Sequence, residues 1–264
     1  MAFVDDLALV EVLLLLGAVI FAYGGVMSWW AIRNNDAKAL KNTLHGMAVP
    51  LGALGVVTTS LALWGEMVWP FPAADGMAGY NIFFFDALIL FGLVLIAYSV
   101  SAFVGAKMQY VGIFALVAGG VVAFYGYTGY TAAVPFTKDP FDTLLLYTGF
   151  AAAGIFAFPA TVILDYYLGA TEALKAPFTS VRSASPVGLR RLGVRGAQPV
   201  VPGAVTPASP SADASPSATY HVPYWVQTLL LLFPLFAGLA AIAAFWYFGV
   251  TLPGHLGAGA GGAP

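Results

Sequence analysis

The sequence predicts an all-α fold, a polytopic membrane bundle of six transmembrane helices with both termini outside. Three observations predict it. The 264 residues are 60% hydrophobic and only 8% charged, against about 25% charged in an ordinary soluble domain. Six apolar stretches are each long enough to cross a hydrocarbon core about 30 Å thick, which takes about 20 residues at 1.5 Å apiece. All ten Lys and Arg residues except Lys138 fall in alternate gaps between those stretches.

The spans run over about 7–30, 44–65, 86–105, 110–130, 143–166 and 225–249. Span one opens with Asp5 and Asp6 and has no Lys or Arg before Arg33, the reverse of a secretory signal's basic start, so it is expected to be retained. The gap after it holds Arg33, Lys38 and Lys41; the gap after span three holds Lys107; the gap after span five holds Lys175, Arg182, Arg190, Arg191 and Arg195. Basic residues in short loops and at span flanks stay on the cytoplasmic side, which sets the orientation. Aromatic residues, which favour both interfaces, agree with it. Trp29, Trp30, Tyr110, Tyr166, Tyr167, Tyr224 and Trp225 mark the inner ends, and Trp64, Trp69, Tyr127, Tyr130, Trp246 and Tyr247 the outer ends.

The organisation that follows is a five-helix transmembrane core over 1–167, a disordered cytoplasmic linker over 168–222, a sixth transmembrane helix over 223–250 and a disordered tail over 251–264. The linker is rich in Pro, Ala, Ser and Gly and nearly free of aromatic residues, so it cannot bury a core. The outer gap over 66–85 mixes prolines with aromatics and is expected to fold against the membrane surface.

Three outward-to-inward spans start with Asp-x-Leu-x-Leu, at Asp5, Asp86 and Asp142. Helix capping explains them economically, since an Asp before the first turn accepts orphan N–H groups at the positive end of the dipole. The alternative is an outward-facing carboxylate cluster that attracts cations, with the triplicate start as a trace of a three-hairpin ancestry.

Polar groups inside spans are costly and therefore informative. Glu11 lies about one and a half turns past Asp5, inside span one, where its carboxylate must face other helices, water or a protonated state. With Glu66 and Asp86 near the same depth it forms the candidate ion or proton site. Packing or snorkelling is the competing reading. Asp165 is expected to snorkel toward an inner-loop Lys or Arg. His45 and His221 sit near the inner starts of spans two and six; two imidazoles there could hold a metal or haem iron, and otherwise they are ordinary interfacial residues. Pro50, Pro159 and Pro234 interrupt spans and permit kinks. The many glycines are expected to bring helices close rather than to line a cavity.

The chain has no Cys, which removes disulfides, thiolate metal sites and cysteine nucleophiles. A net charge of −2 with scattered basic residues leaves no nucleic-acid footprint. No P-loop, no GxGxxG placed after a strand, and no HExxH, GxSxG or GxGD is present, and no span holds a lysine for a retinal Schiff base. No motif names a reaction, so a non-enzymatic role is expected, and no cofactor beyond the His45 and His221 haem alternative.

The acidic start FVDDLALVEVLLLLGAVIFAYGGV and the later YNIFFFDALIL resemble an uncharacterised family of archaeal multi-pass membrane proteins over residues 1 to about 168. That resemblance implies an archaeal plasma membrane and transfers no activity or site residue. The first functional expectation is a transport or channel component for protons, cations or a small solute, with Glu11 as the main site, Glu66 and Asp86 at the outer mouth, and Pro50 and Pro159 permitting gating. The alternatives are an accessory or structural subunit of a membrane complex, a respiratory one included, and a haem- or quinone-binding redox protein. Partners expected are the bilayer, a second copy of the chain, or other membrane subunits.

Overall fold

The computed structural model describes residues 6–68, 82–132, 140–182 and 222–260. Six helices long and apolar enough to cross a membrane are present, as the sequence predicts. They are α1 (Asp6–Arg33), α2 (Ala37–Val68), α3 (Ala87–Val104), α4 (Gln109–Ala132), α5 (Pro140–Arg182) and α6 (Tyr224–Ala260); one π turn, Ile82–Asp86, leads into α3. No strand occurs among the described residues. The apolar helices mark an integral, multi-pass membrane protein.

Each helix packs on its neighbours in sequence and α6 closes on α1, so the six form a ring. Small residues set how near the backbones come. A Cβ added to Gly119 would stand 2.8 Å from the Ala151 carbonyl oxygen, and one on Gly154 would stand 2.7 Å from that of Ala115, so α4 and α5 meet backbone to backbone. Gly55 and Gly92 bring α2 and α3 together in the same way. Gly25 of α1 receives the Pro234 ring of α6, and Gly149 of α5 packs on Ala240. The glycines at these contacts serve close packing, as expected, but Gly25, Gly119 and Gly154 also line a cavity, contrary to the expectation from sequence. The helices run on through Pro50, Pro159 and Pro234.

One end of the ring gathers Arg33, Lys38, Lys41 and Lys107 and the other gathers Asp6, Glu11, Glu66, Asp86 and Asp142; they are called here the basic and acidic ends. The basic end has short turns. After α1, Asn35 takes a left-handed φ of 55°, and Asp36 caps α2 by accepting the Ala39 N–H at 2.8 Å. After α3, Gly105 at φ 69° ends the helix, its N–H returning to the Ser101 carbonyl. Asp165, half-buried on α5, then caps α4: Met108 and Gln109 donate their N–H groups to its Oδ1 and Oδ2 at 3.0 and 2.7 Å. Instead of snorkelling toward a cation, Asp165 closes the α3–α4 turn, because orphan amides at a helix start are nearer and better aligned than a loop side chain.

Two boundaries differ from expectation. Residues 168–182, assigned to the linker, continue α5 to Arg182, and 251–260, assigned to the tail, continue α6 to Ala260. A helix already nucleated in the membrane propagates at little cost, and the ATEALKA run consists largely of strong helix formers. The rest of the expected linker and tail, the 69–81 loop, Lys138, Asp5 and His221 lie outside the described residues.

Candidate functional site

The ring encloses a cavity of about 150 Å³ lined by all six helices. On α1 its wall runs from Val10 to Ser28, about 27 Å at 1.5 Å per residue, close to the thickness of a bilayer's hydrocarbon core. The wall is built mostly of Ala, Gly, Leu, Val and Phe residues. Three of its hydroxyls are engaged with backbone: Tyr98 donates to the Leu44 carbonyl at 3.1 Å, Tyr147 to that of Phe83 at 2.6 Å and Thr161 to that of Phe158 at 2.9 Å, and Ser28 adds a fourth hydroxyl at the basic end. An apolar surface so lined does not hold water. It offers hydrocarbon contact along nearly its whole length.

Aromatic rings shape the passage. Phe21 meets Tyr98 and Phe233 edge-on at centroid separations of 5.7 and 5.8 Å, and Phe91 meets Phe150 at 5.4 Å in the middle. Toward the acidic end Phe83 packs on Tyr125 and Tyr147 at 5.5 and 6.4 Å. Beside these rings, at the acidic end, stands a polar tier.

That tier contains two of the sequence-predicted site residues. Asp86 accepts a hydrogen bond from Tyr125 at 2.8 Å, and Glu66 lies within electrostatic reach of Asp86. The Glu66 Oε1 is buried without a hydrogen-bond partner. The expectation that Asp86 caps a helix is corrected: its backbone is already helical and its carboxylate makes no cap bond. The π turn carries the helix back past Asp86, so the amides it would have capped are bonded within the helix, and the carboxylate turns to α4 instead. Asp142 stands in the first turn of α5, where its charge suits the dipole.

Glu11 is held apart from that pair in the packing. It is 1% exposed. The contacts of Gly25 with Pro234 and of Ala18 with Ala240 and Ala241 set the register of α1 on α6, which puts Glu11 level with Tyr247 and Phe248. Gly149 on Ala240 sets the register of α5, which puts Thr143 at the same depth. Thr143 is 1% exposed and Tyr247 8%; Glu11, Thr143 and Tyr247 all have interaction partners. None of Glu11, Glu66 and Asp86 lies on the cavity wall.

His45 is exposed on the outside of α2, its Nδ1 2.9 Å from the Lys41 carbonyl oxygen, and no group of three metal-ligating side chains occurs among the described residues. The partner proposed for it, His221, lies outside them. What the sequence reading missed are the hydroxyls of Tyr98, Tyr125 and Tyr147. One signal was available for Tyr125: a hairpin turning at 105–108 places residues 125–127 of α4 opposite Asp86.

A family model described as "Protein of unknown function (DUF981)" matches residues 1–175. The chain belongs to this family. The match takes in α1 to α4 and the membrane-spanning part of α5, hence five of the six walls of the cavity, and α6 lies beyond it. No curated protein and no solved structure matches the chain.

Proposed function

We propose that the protein binds a lipophilic small molecule along the axis of its helix ring, as a carrier or holder of that molecule in the membrane. The observation that carries this is the long apolar cavity, in whose wall the Tyr98, Tyr147 and Thr161 hydroxyls are engaged with backbone carbonyls. A void of about 150 Å³ left empty forgoes about 3 to 4 kcal/mol of packing, which favours an occupant. A hydrated ion would find too few polar groups on such a wall to replace its water. The reading thus moves from ion passage toward a hydrophobic solute, the class to which a quinone or a lipid belongs.

Native mass spectrometry of protein purified in mild detergent tests it. A bound lipophile is expected on the wild type and is expected to be lost from Ala237→Phe, which puts a ring into the cavity. A wild type that carries no such mass in any mild detergent counts against the reading.

A second reading, cation or proton handling at the acidic end, draws support from the unpartnered Glu66 Oε1 beside Asp86. Flux in proteoliposomes that Glu66→Gln and Glu11→Gln leave unchanged would remove it. In either case the charge bias of the loops supports a cytoplasmic basic end. Since the chain has no Cys, a single cysteine at Lys107 reports that side by its reaction with an impermeant maleimide.

A further inference from the structure

Of the six seams of the ring, that between α3 and α4 is the sparsest. It is tied at both ends. At the basic end Gly105 and the Asp165 cap close the turn, and at the acidic end Tyr125 bonds Asp86 across the gap. Between these ties the two helices face one another through apolar side chains, and the cavity wall reaches them there. Leu90 and Val94 of α3, both half-buried, and Ala118 of α4 all line the cavity. Leu90 and Val94 follow Asp86 by one and two turns, and Ala118 precedes Tyr125 by two. The antiparallel register set by the turn and the Asp86–Tyr125 bond puts Val94 level with Ala118, at mid-membrane depth.

We propose that this seam is a lateral portal through which the hydrocarbon chain of a membrane lipid enters the cavity directly from the bilayer. This rests on the reading of the cavity as a lipophile site and adds the ligand class and its route. Three features select a lipid chain over a free polar solute. The cavity is about as long as the hydrocarbon core is thick, its wall is apolar with the Tyr98, Tyr147 and Thr161 hydroxyls engaged, and its sparsest side faces a surrounding solvent that is itself lipid tails. A chain entering there exchanges one hydrocarbon environment for another, with no polar group to desolvate. The ties at the two ends let the middle of the seam part without separating the helices.

The absence of native Cys makes the test clean. The double variant Val94→Cys, Ala118→Cys is reconstituted in vesicles of phosphatidylcholine with perdeuterated acyl chains. It is then moved to undeuterated vesicles, oxidised or reduced, and the labelled lipid retained per protein is followed by extraction and mass spectrometry. The expected result is exchange at least tenfold slower in the crosslinked protein, restored by reduction. Ala118→Phe, which fills the seam without a crosslink, is expected to slow exchange as well. Equal rates in oxidised and reduced protein, with the disulfide formed and labelled lipid bound, would overturn the portal while leaving the cavity reading in place. A pair that never crosslinks would overturn it too, since the two positions would not be level. Failure to retain labelled lipid in either state would remove the cavity reading itself.

Discussion

Helix α4 takes part in two seams of opposite character. Toward α5 it presents Gly112, Gly119 and Gly126, and the helices come so close that a Cβ at Gly119 would meet the Ala151 carbonyl oxygen at 2.8 Å. Toward α3 it presents Ala118 and Tyr125, and one hydrogen bond at the acidic end is the tie between the spans. In lipid there is little hydrophobic reward for bringing apolar helices together, so dispersion at close range and hydrogen bonds decide which seams are firm. Glycine gives the first kind of seam, and a single tyrosine pins the second. The contrast teaches that tightness along one helix is set face by face, and that the seams of one ring can differ in firmness.

The comparison can be broken most forcefully at Gly119. Gly119→Val is expected to cost about 3 kcal/mol or more, because the clash is with backbone that cannot rotate away; a fall in the thermal midpoint in detergent, or loss of folded protein, measures it. A smaller effect is expected from Asp165→Ala, which strips the cap from α4 and loosens the turn shared with α3. About 1 to 2 kcal/mol should be lost, with faster hydrogen exchange at Met108 and Gln109 as the local sign.

Tyr125→Phe sharpens the other side of the comparison. Removing the hydroxyl deletes the bond across the α3–α4 seam and should cost about 1 kcal/mol, while raising the rate at which labelled lipid exchanges. A stability loss with no change in exchange would show that the bond braces the fold without governing the seam. The smallest effect is expected at Gly120, the neighbour of Gly119, where an added Cβ would meet nothing within 4 Å. Gly120→Ala should change stability by no more than about 1 kcal/mol, in the stabilising direction, since alanine is the better helix former. The pair Gly119 and Gly120 thus reads packing against propensity at adjacent positions.

The spans themselves were legible because length and apolarity are local properties, and Leu9–Arg33 or Ile82–Val104 needs no tertiary information to be recognised. Polar side chains were less legible. Asp86 looked like a cap because it precedes a run of leucines, yet the π turn of Ile82–Asp86 makes it part of the helix. Asp165 looked like a snorkelling charge, yet its partners are amides distant by more than fifty residues in sequence. Glu66 lies within electrostatic reach of Asp86, and Tyr125 entered only through the register of a neighbouring helix.

By itself the sequence determined the number of spans, their order, and the separation of basic from acidic ends, because each follows from the cost of placing charge and unpaired backbone in hydrocarbon. Only the tertiary structure decided that the helices close into a ring, that the ring encloses an apolar cavity, and that α3 and α4 meet loosely. The physical reason is that a leucine facing lipid and a leucine facing a cavity pay the same transfer energy. Which faces meet is settled by where glycines let backbones approach and where a hydroxyl finds its acceptor.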